Sequence, residues 1–450
     1  MSMRSRLVGL RRTLREDGGF RAFLKHTGWL SGAGAIIIVL AAVQGILTAR
    51  MLGVALWGML GVAMGFSRVI SLLLSFRMQE FVVKWVTQLG GDGSARASTA
   101  FKLALAGDAG TAVLSFVVVE LLAGWGASVF AKSPDYVWVF RFVALIIIFQ
   151  AGQETLLGMM HVNRDFRLQG FVQTGVQVAS VCAMAAVYVA DGGLLGVVLV
   201  QVGAAALTSA LMWTFGLRAA YAVLPRGWAH QKIVRFGELG REMMRFAILG
   251  NFRGTLHTIM SDGDLLILGF LRNPTEVGYY KLARALGQLA DLLNGPLVST
   301  SYPEFSEAAA TGAWGDFRSV IRRGTKVAAL WLIPVSLGLV VFAKPLIGKL
   351  YGPSFEPAAA ALAILLVGIV VDGVFYWGGI ALLSLGQPGY LAAISVWTTS
   401  AKYALAFLLV PVGGYLALAA IQSSVVIGMN VATTRRALQS LKKREAVADG

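Results

Sequence analysis

Arg68, Ser71, Ser75 and Gln79 follow one another at spacings of 3, 4 and 4 residues inside an otherwise apolar run. On an α-helix that spacing places all four on one face. Arg253, His257, Ser261 and Asp264 repeat the pattern at 4, 4 and 3, and Lys281, Arg284, Gln288, Asp291 and Gly295 at 3, 4, 3 and 4. A further run carries Gln169, Gln173, Gln177 and Ser180. A charge held in hydrocarbon costs about 2.5–3.5 kcal/mol by insertion scales, so each one needs a wet lining or a partner. Arginine presents a planar fork of donors that matches phosphate oxygens in pairs. Arg68, Arg253, Arg284, Lys281, Gln288 and Ser71 are therefore the candidate ligands for an anionic substrate. Asp264, Asp291 and His257 are the candidates for coupling to an ion.

Plainer roles compete with these. Asp264 lies near Lys281 and Arg284 in the sequence of adjacent helices, and an ion pair with either accounts for it structurally. His257 fits an interior histidine satisfied by its neighbours. Arg77, Glu80 and Lys84 stand near a span end, where long side chains reach the interface. Asp108, Glu120, Glu154, Asp372 and Lys402 also fall in or near apolar runs, and each could carry a coupling ion. Catalytic constellations are absent from the sequence: it has no paired carboxylates or nucleophile–base arrangement outside the membrane, no phosphate loop and no dinucleotide fingerprint. The single cysteine, Cys182, and four scattered histidines give no metal-ligand spacing. No enzyme activity, cofactor or metal is expected.

The elements that must position these residues follow from composition. Of 450 residues 57% are hydrophobic and 14% charged, with a mean hydropathy of +0.71. A soluble domain carries roughly 25% charged residues, so lipid must cover much of this surface. Runs of about 20 apolar residues predict an all-α polytopic membrane protein with about twelve spans. They fall at 27–48, 57–77, 103–123, 137–160, 168–190, 194–217, 243–270, 277–300, 324–343, 357–384, 389–410 and 414–433.

Lys and Arg then set the orientation. Counting Arg77 and Lys326 at the span edges, 27 lie on the side of the N-terminus and five (Arg50, Lys132, Arg272, Lys344, Lys349) on the other. That bias places both termini in the cytoplasm. It also accounts for the net charge of +16 without nucleic acid as a partner. The implied organisation is a basic segment 1–26, an N-lobe 27–217, a cytoplasmic linker 218–242, a C-lobe 243–433 and a basic tail 434–450.

The halves resemble each other at an offset of about 220 residues. LGVALWGMLGVAMGFSRVISLL, from Leu52, lies against RNPTEVGYYKLARALGQLADLL, from Arg272, matching Gly58 with Gly278 and Ala63 with Ala283. VADGGLLGVVLVQ lies against VPVGGYLALAAIQ, matching Gly192–Gly193 with Gly413–Gly414. Six spans return the chain to its starting side, so the copies are parallel repeats, two six-helix lobes around a central cavity.

The stretch TARMLGVALWGMLGVAMGFSRVISLLLSF resembles the second-helix signature of bacterial polysaccharide-unit (O-antigen) flippases, the Wzx-like branch of the multidrug/oligosaccharidyl-lipid/polysaccharide exporter superfamily. DLLILGFLRNPTEVGYYKLARALGQLADLLNGPLVSTSYPEFSE is similar to their seventh-to-eighth-helix signature, and LYGPSFEPAAAALAILLVG to the entry of their tenth helix. The resemblance implies alternating access at the bacterial inner membrane. It implies export of an undecaprenyl-diphosphate-linked oligosaccharide to the periplasmic leaflet, for lipopolysaccharide, capsule or exopolysaccharide synthesis. Implied partners are membrane lipids, a polysaccharide polymerase and chain-length proteins. One departure is that Leu265, not a basic residue, follows Asp264. Two rival readings are a cation-coupled multidrug or small-molecule antiporter, which favours acidic cavity residues, and a membrane-embedded polysaccharide enzyme, which commonly needs a sizeable external loop.

Overall fold

The computed structural model describes residues 18–76, 78–90, 95–291 and 294–448. Side chains are described throughout these ranges except at 18–33, 35, 249–262, 291, 296, 447 and 448. Every regular element among the described residues is helical. In chain order they are α1 (Gly18–Leu74), α2 (Met78–Leu89), α3 (Ala95–Phe130), α4 (Val137–Phe149), α5 (Gln153–Val162), α6 (Phe166–Val189) and α7 (Gly193–Val223). Then follow α8 (Glu238–Leu271), α9 (Pro274–Asp291), α10 (Asn294–Thr311), α11 (Trp314–Leu350), α12 (Ala358–Val374), α13 (Trp377–Ser384) and α14 (Pro388–Ala448). Helices are what hydrocarbon permits, because each satisfies its own backbone groups.

Among the described residues eight stretches are long and apolar enough to cross a membrane: 36–89, 95–130, 134–162, 166–189, 193–223, 314–350, 358–384 and 388–446. The chain is a multi-pass membrane protein. Two of these stretches are interrupted by glycines with non-helical backbone, Gly53 (φ 68, ψ 177) in α1 and Gly414 (φ 58, ψ −147) in α14. The polar stripes on α8 and α9 lower their hydropathy and keep them out of that set.

Two membrane stretches are broken inside. Between α4 and α5 the chain turns through Gly152 (φ 77). The carboxylate of Asp108, from α3, accepts the Thr155 N–H at 3.0 Å and so caps the freed start of α5. The indole of Trp213 donates to the Ala151 carbonyl at 3.2 Å, satisfying the break from the other side. Between α12 and α13 the Tyr376 hydroxyl shares a 2.7 Å hydrogen bond with Ser301, and Trp377 donates to Thr325 at 2.9 Å. At the start of α9, Asn273 accepts from the Glu276 N–H at 3.1 Å, with Pro274 in the first helical position. This is an N-cap built from the NPTE of the sequence, and the Asn273 amide also donates to Glu276 Oε1 at 3.3 Å.

The chain divides into two compact units. The first comprises 1–51, 66–126 and 135–259, and the second 52–65, 127–134 and 260–450. In the first, Phe81, Trp85, Phe101, Leu156, Met159 and Met160 are buried together. In the second, Phe305 stacks edge-on against Phe317 at 4.8 Å beside buried Trp377 and Leu382. Left-handed turn residues recur along the chain: Lys132, Arg164 and Gly193 are followed by Gly352, Gly386 and Gly414, each about 220 residues later. The broken helix α4–α5 is likewise followed by the broken helix α12–α13.

Candidate functional site

The residues singled out by spacing meet different fates, which we describe unit by unit. In the first unit Arg68 is exposed on the 54–74 segment of α1, and Ser71 one turn on is half-buried. Gln79 at the start of α2 donates to His161 Nδ1 at 3.2 Å, while His161 Nε2 lies 3.0 Å from the Gln169 carbonyl oxygen. A second polar group joins Gln177 to Gln44 (2.8 Å) and Gln44 to Ser180 (3.0 Å). The glutamine stripe of α6 therefore serves at least in part to fasten helices together, in the way polar side chains do in membranes. Arg253 and His257 stand in α8, and their side chains lie outside the described residues.

In the second unit Asp264 is 2% exposed. Its Oδ1 lies 2.5 Å from the ammonium of Lys402, itself 4% exposed, and its Oδ2 accepts from the Tyr280 hydroxyl at 2.8 Å. Proximity in sequence suggested Lys281 or Arg284 as the partner, and Lys281 goes elsewhere. Its ammonium donates to the Trp57 carbonyl at 3.2 Å and stands 4.4 Å from the centre of the Trp57 ring. The reason is helical phase: Tyr280, one residue before, occupies the α9 face that meets Asp264, so Lys281 is turned away by about 100°. Arg284 is half-buried and Gln288 exposed on α9, whereas the side chain of Asp291 lies outside the described residues.

Periodicity missed Tyr280, Trp57 and the pairing role of Lys402. A signal for Lys402 was present, since it is the only charge within the run 389–410 and must be neutralised somewhere. Other acids are engaged by neighbouring groups. Glu276 receives Arg272 Nε at 2.7 Å and the Tyr415 N–H at 2.9 Å, pinning the start of α9 to the Gly414 break. Asp372 accepts from Asn430 at 2.7 Å. Between α6 and α7 lies an apolar groove of about 390 Å³ lined by residues such as Leu168, Phe171, Leu207 and Phe215. It offers nothing to a phosphate. Basic and polar residues stand along α9 in the second unit, and Arg68 stands exposed in the first.

A family profile described as "Polysaccharide biosynthesis protein" matches residues 47–360. Two curated proteins of Haloferax volcanii are similar. One is the probable low-salt glycan biosynthesis flippase Agl15, 26% identical over 34% of this chain and 32% of that protein. The other is the probable flippase AglR, 28% identical over 41% of this chain and 40% of that protein. The matches thus span a third to two fifths of those relatives' length. Among solved structures, lipid II flippase MurJ in an inward closed conformation aligns with a TM-score of 0.71 at 11% identity, over 92% of this chain and 89% of that one. An inward-facing multidrug resistance MATE transporter of the MOP superfamily gives 0.68 at 13%, over 91% and 95%. At such identities the likeness establishes the fold.

Proposed function

The chain belongs to the polysaccharide biosynthesis protein family, and from that premise we propose that it is a flippase carrying a lipid-linked oligosaccharide diphosphate from the cytoplasmic to the periplasmic leaflet. It works as a transporter rather than an enzyme. Its spans number twelve, in two parallel six-helix lobes at 27–217 and 243–433 joined by the basic linker 218–242. Three features support that count. Gly53 and Gly414 each divide one long apolar stretch, α8 and α9–α10 add two spans of lower hydropathy, and the left-handed turns recur at about 220 residues. The Lys and Arg distribution supports an inner-membrane protein with cytoplasmic termini.

One observation favours an anionic substrate over a cationic drug. The deeply buried acid of the C-terminal half, Asp264, is already neutralised by Lys402, so it offers no net negative charge to a cation. Arg68, Ser71, Arg253, Arg284, Gln288 and Lys281 then serve the diphosphate at different stages of alternating access. Asp264, Asp291 and His257 remain the sites for ion coupling, Asp264 only if Lys402 releases it. The polysaccharide polymerase and chain-length proteins are the expected partners.

Deleting the gene in its host and restoring it on a plasmid tests the reading. The expected result is loss of a surface polysaccharide, accumulation of its lipid-linked unit, and recovery of both on complementation. Normal polysaccharide together with lowered drug efflux would favour the antiporter instead.

A further inference from the structure

The outer end of the 54–74 segment does not join the unit that holds the rest of that helix. Residues 52–65 belong to the second unit and residues from Phe66 to the first, although the helix runs straight through the boundary. Any relative movement of the two units must either bend this helix or detach residues 52–65 from the second unit. What attaches them is therefore of interest.

Four glycines make the attachment. A Cβ on Gly58 would overlap the Pro274 carbonyl, and one on Gly278 would overlap the Val54 carbonyl, so the two helices cross backbone on backbone. These are the two glycines that the internal alignment matches to each other. One turn on, Gly61 leaves a notch filled by the Lys281 side chain, whose Cδ would lie 2.9 Å from an added Cβ. Gly269 of α8 likewise receives Val62. The Lys281 ammonium closes the contact on the Trp57 carbonyl and ring, and that ring packs edge-on against Phe355 at 5.6 Å.

This attachment differs in kind from the neighbouring Asp264–Lys402 pair. Lys402 meets a carboxylate in a site with 3–5% exposure, where separation strands two charges. Among the described residues Lys281 meets a carbonyl and an aromatic face. Separation there parts no pair of opposite charges. Glycine crossings also lack interlocked side chains and part cleanly. Gly53, with φ 68, lies just before the segment and supplies a backbone joint.

We propose that Lys281 is a latch: its contact with Trp57 holds the outer half of the second membrane span on α9, and the latch opens once per transport cycle. This gives Lys281 a positioning role at the outer end of the span, beside any contact it makes with substrate, and it rests on the flippase reading for the word transport and on the proposed topology for the word outer.

The test uses full-length protein in membranes with Cys182→Ala removing the native thiol. Val62→Cys, at a fully buried position of the contact, reports opening through labelling by an impermeant thiol reagent. Adding Lys281→Met should speed labelling roughly tenfold, between the scales of an exposed and a desolvated cation–π contact, and Trp57→Phe, which keeps a ring, should fall between. In parallel, Gly61→Cys with Lys281→Cys should cross-link on oxidation, block surface polysaccharide export, and release it on reduction. Unchanged labelling in Lys281→Met would overturn the latch, as would failure to cross-link or full export by the cross-linked protein. Labelling does not depend on what is transported, so a failed flippase assignment would leave that arm decisive.

Discussion

Replacing Lys402 by Met should strand the Asp264 carboxylate. Both groups of the pair are nearly inaccessible, with side-chain exposures of 5% and 3%, and stand 2.5 Å apart. No solvent screening softens the loss. Removing one partner of a buried pair costs about 3–5 kcal/mol, because the other charge stays buried without compensation. Tyr280 keeps its 2.8 Å hydrogen bond to Oδ2, which recovers part of this, since a bond to a charged acceptor contributes about 1.5–3 kcal/mol. The net deficit for Lys402→Met should then be about 2 kcal/mol. Asp264→Asn alone removes the carboxylate and leaves the ammonium over the Tyr403 ring, 5.7 Å from its centroid, so it too should destabilise. The double variant Asp264→Asn/Lys402→Met removes both charges at similar volume, and should lie within about 1 kcal/mol of the parent. Thermal unfolding of detergent-purified protein, followed by fluorescence-detected size exclusion, reads all four forms. The refuting result is additivity: if the double variant is as unstable as the sum of the singles, the pair is not a coupled buried unit.

Other consequences follow from separate parts of the molecule. Arg68→Ala should lower polysaccharide export strongly at normal membrane levels, and Arg68→Lys should restore only part, since an ammonium lacks the two-pronged fork. Reporter fusions at Gly227 and Gly450 should both read cytoplasmic, because the termini and the 218–242 linker hold 17 of the 27 inside Lys and Arg residues; a periplasmic signal at either would break the topology. Gly414→Ala should destabilise more than Gly193→Ala. Both force a left-handed residue, costing about 1–3 kcal/mol, but the new methyl at 414 also overlaps the Glu276 carboxylate while the space around Gly193 is open. Equal midpoints for the two variants would remove Glu276 from the Gly414 break.

Much of the architecture could be read in the residues. Helicity and membrane residence follow from apolar runs that leave hydrocarbon no alternative. The pairs Gly58/Gly278 and Gly193/Gly414 were visible because close approach and left-handed backbone both demand the same residue type. The matching turns at Lys132/Gly352 and Arg164/Gly386 were not, since two non-glycine residues hold that backbone in the first half. Side-chain partners were legible only in part. Helical spacing identifies which residues share a face, and Lys281, Arg284 and Gln288 do fall within one helix, α9. It does not say which neighbour that face meets. Lys402, 138 positions beyond Asp264, becomes its partner through packing alone. Lys281 is drawn from the polar stripe into a notch whose existence depends on Gly61.

The most direct test of the flippase assignment is movement of the substrate itself. Purified protein would be placed in vesicles holding a labelled lipid-linked oligosaccharide diphosphate, with an impermeant diphosphate-cleaving enzyme added outside to report the outer leaflet. The expected result is protein-dependent exposure of the lipid trapped in the inner leaflet, slowed by Arg68→Ala. Exposure at the same rate in protein-free vesicles, or none with correctly folded protein, would contradict it.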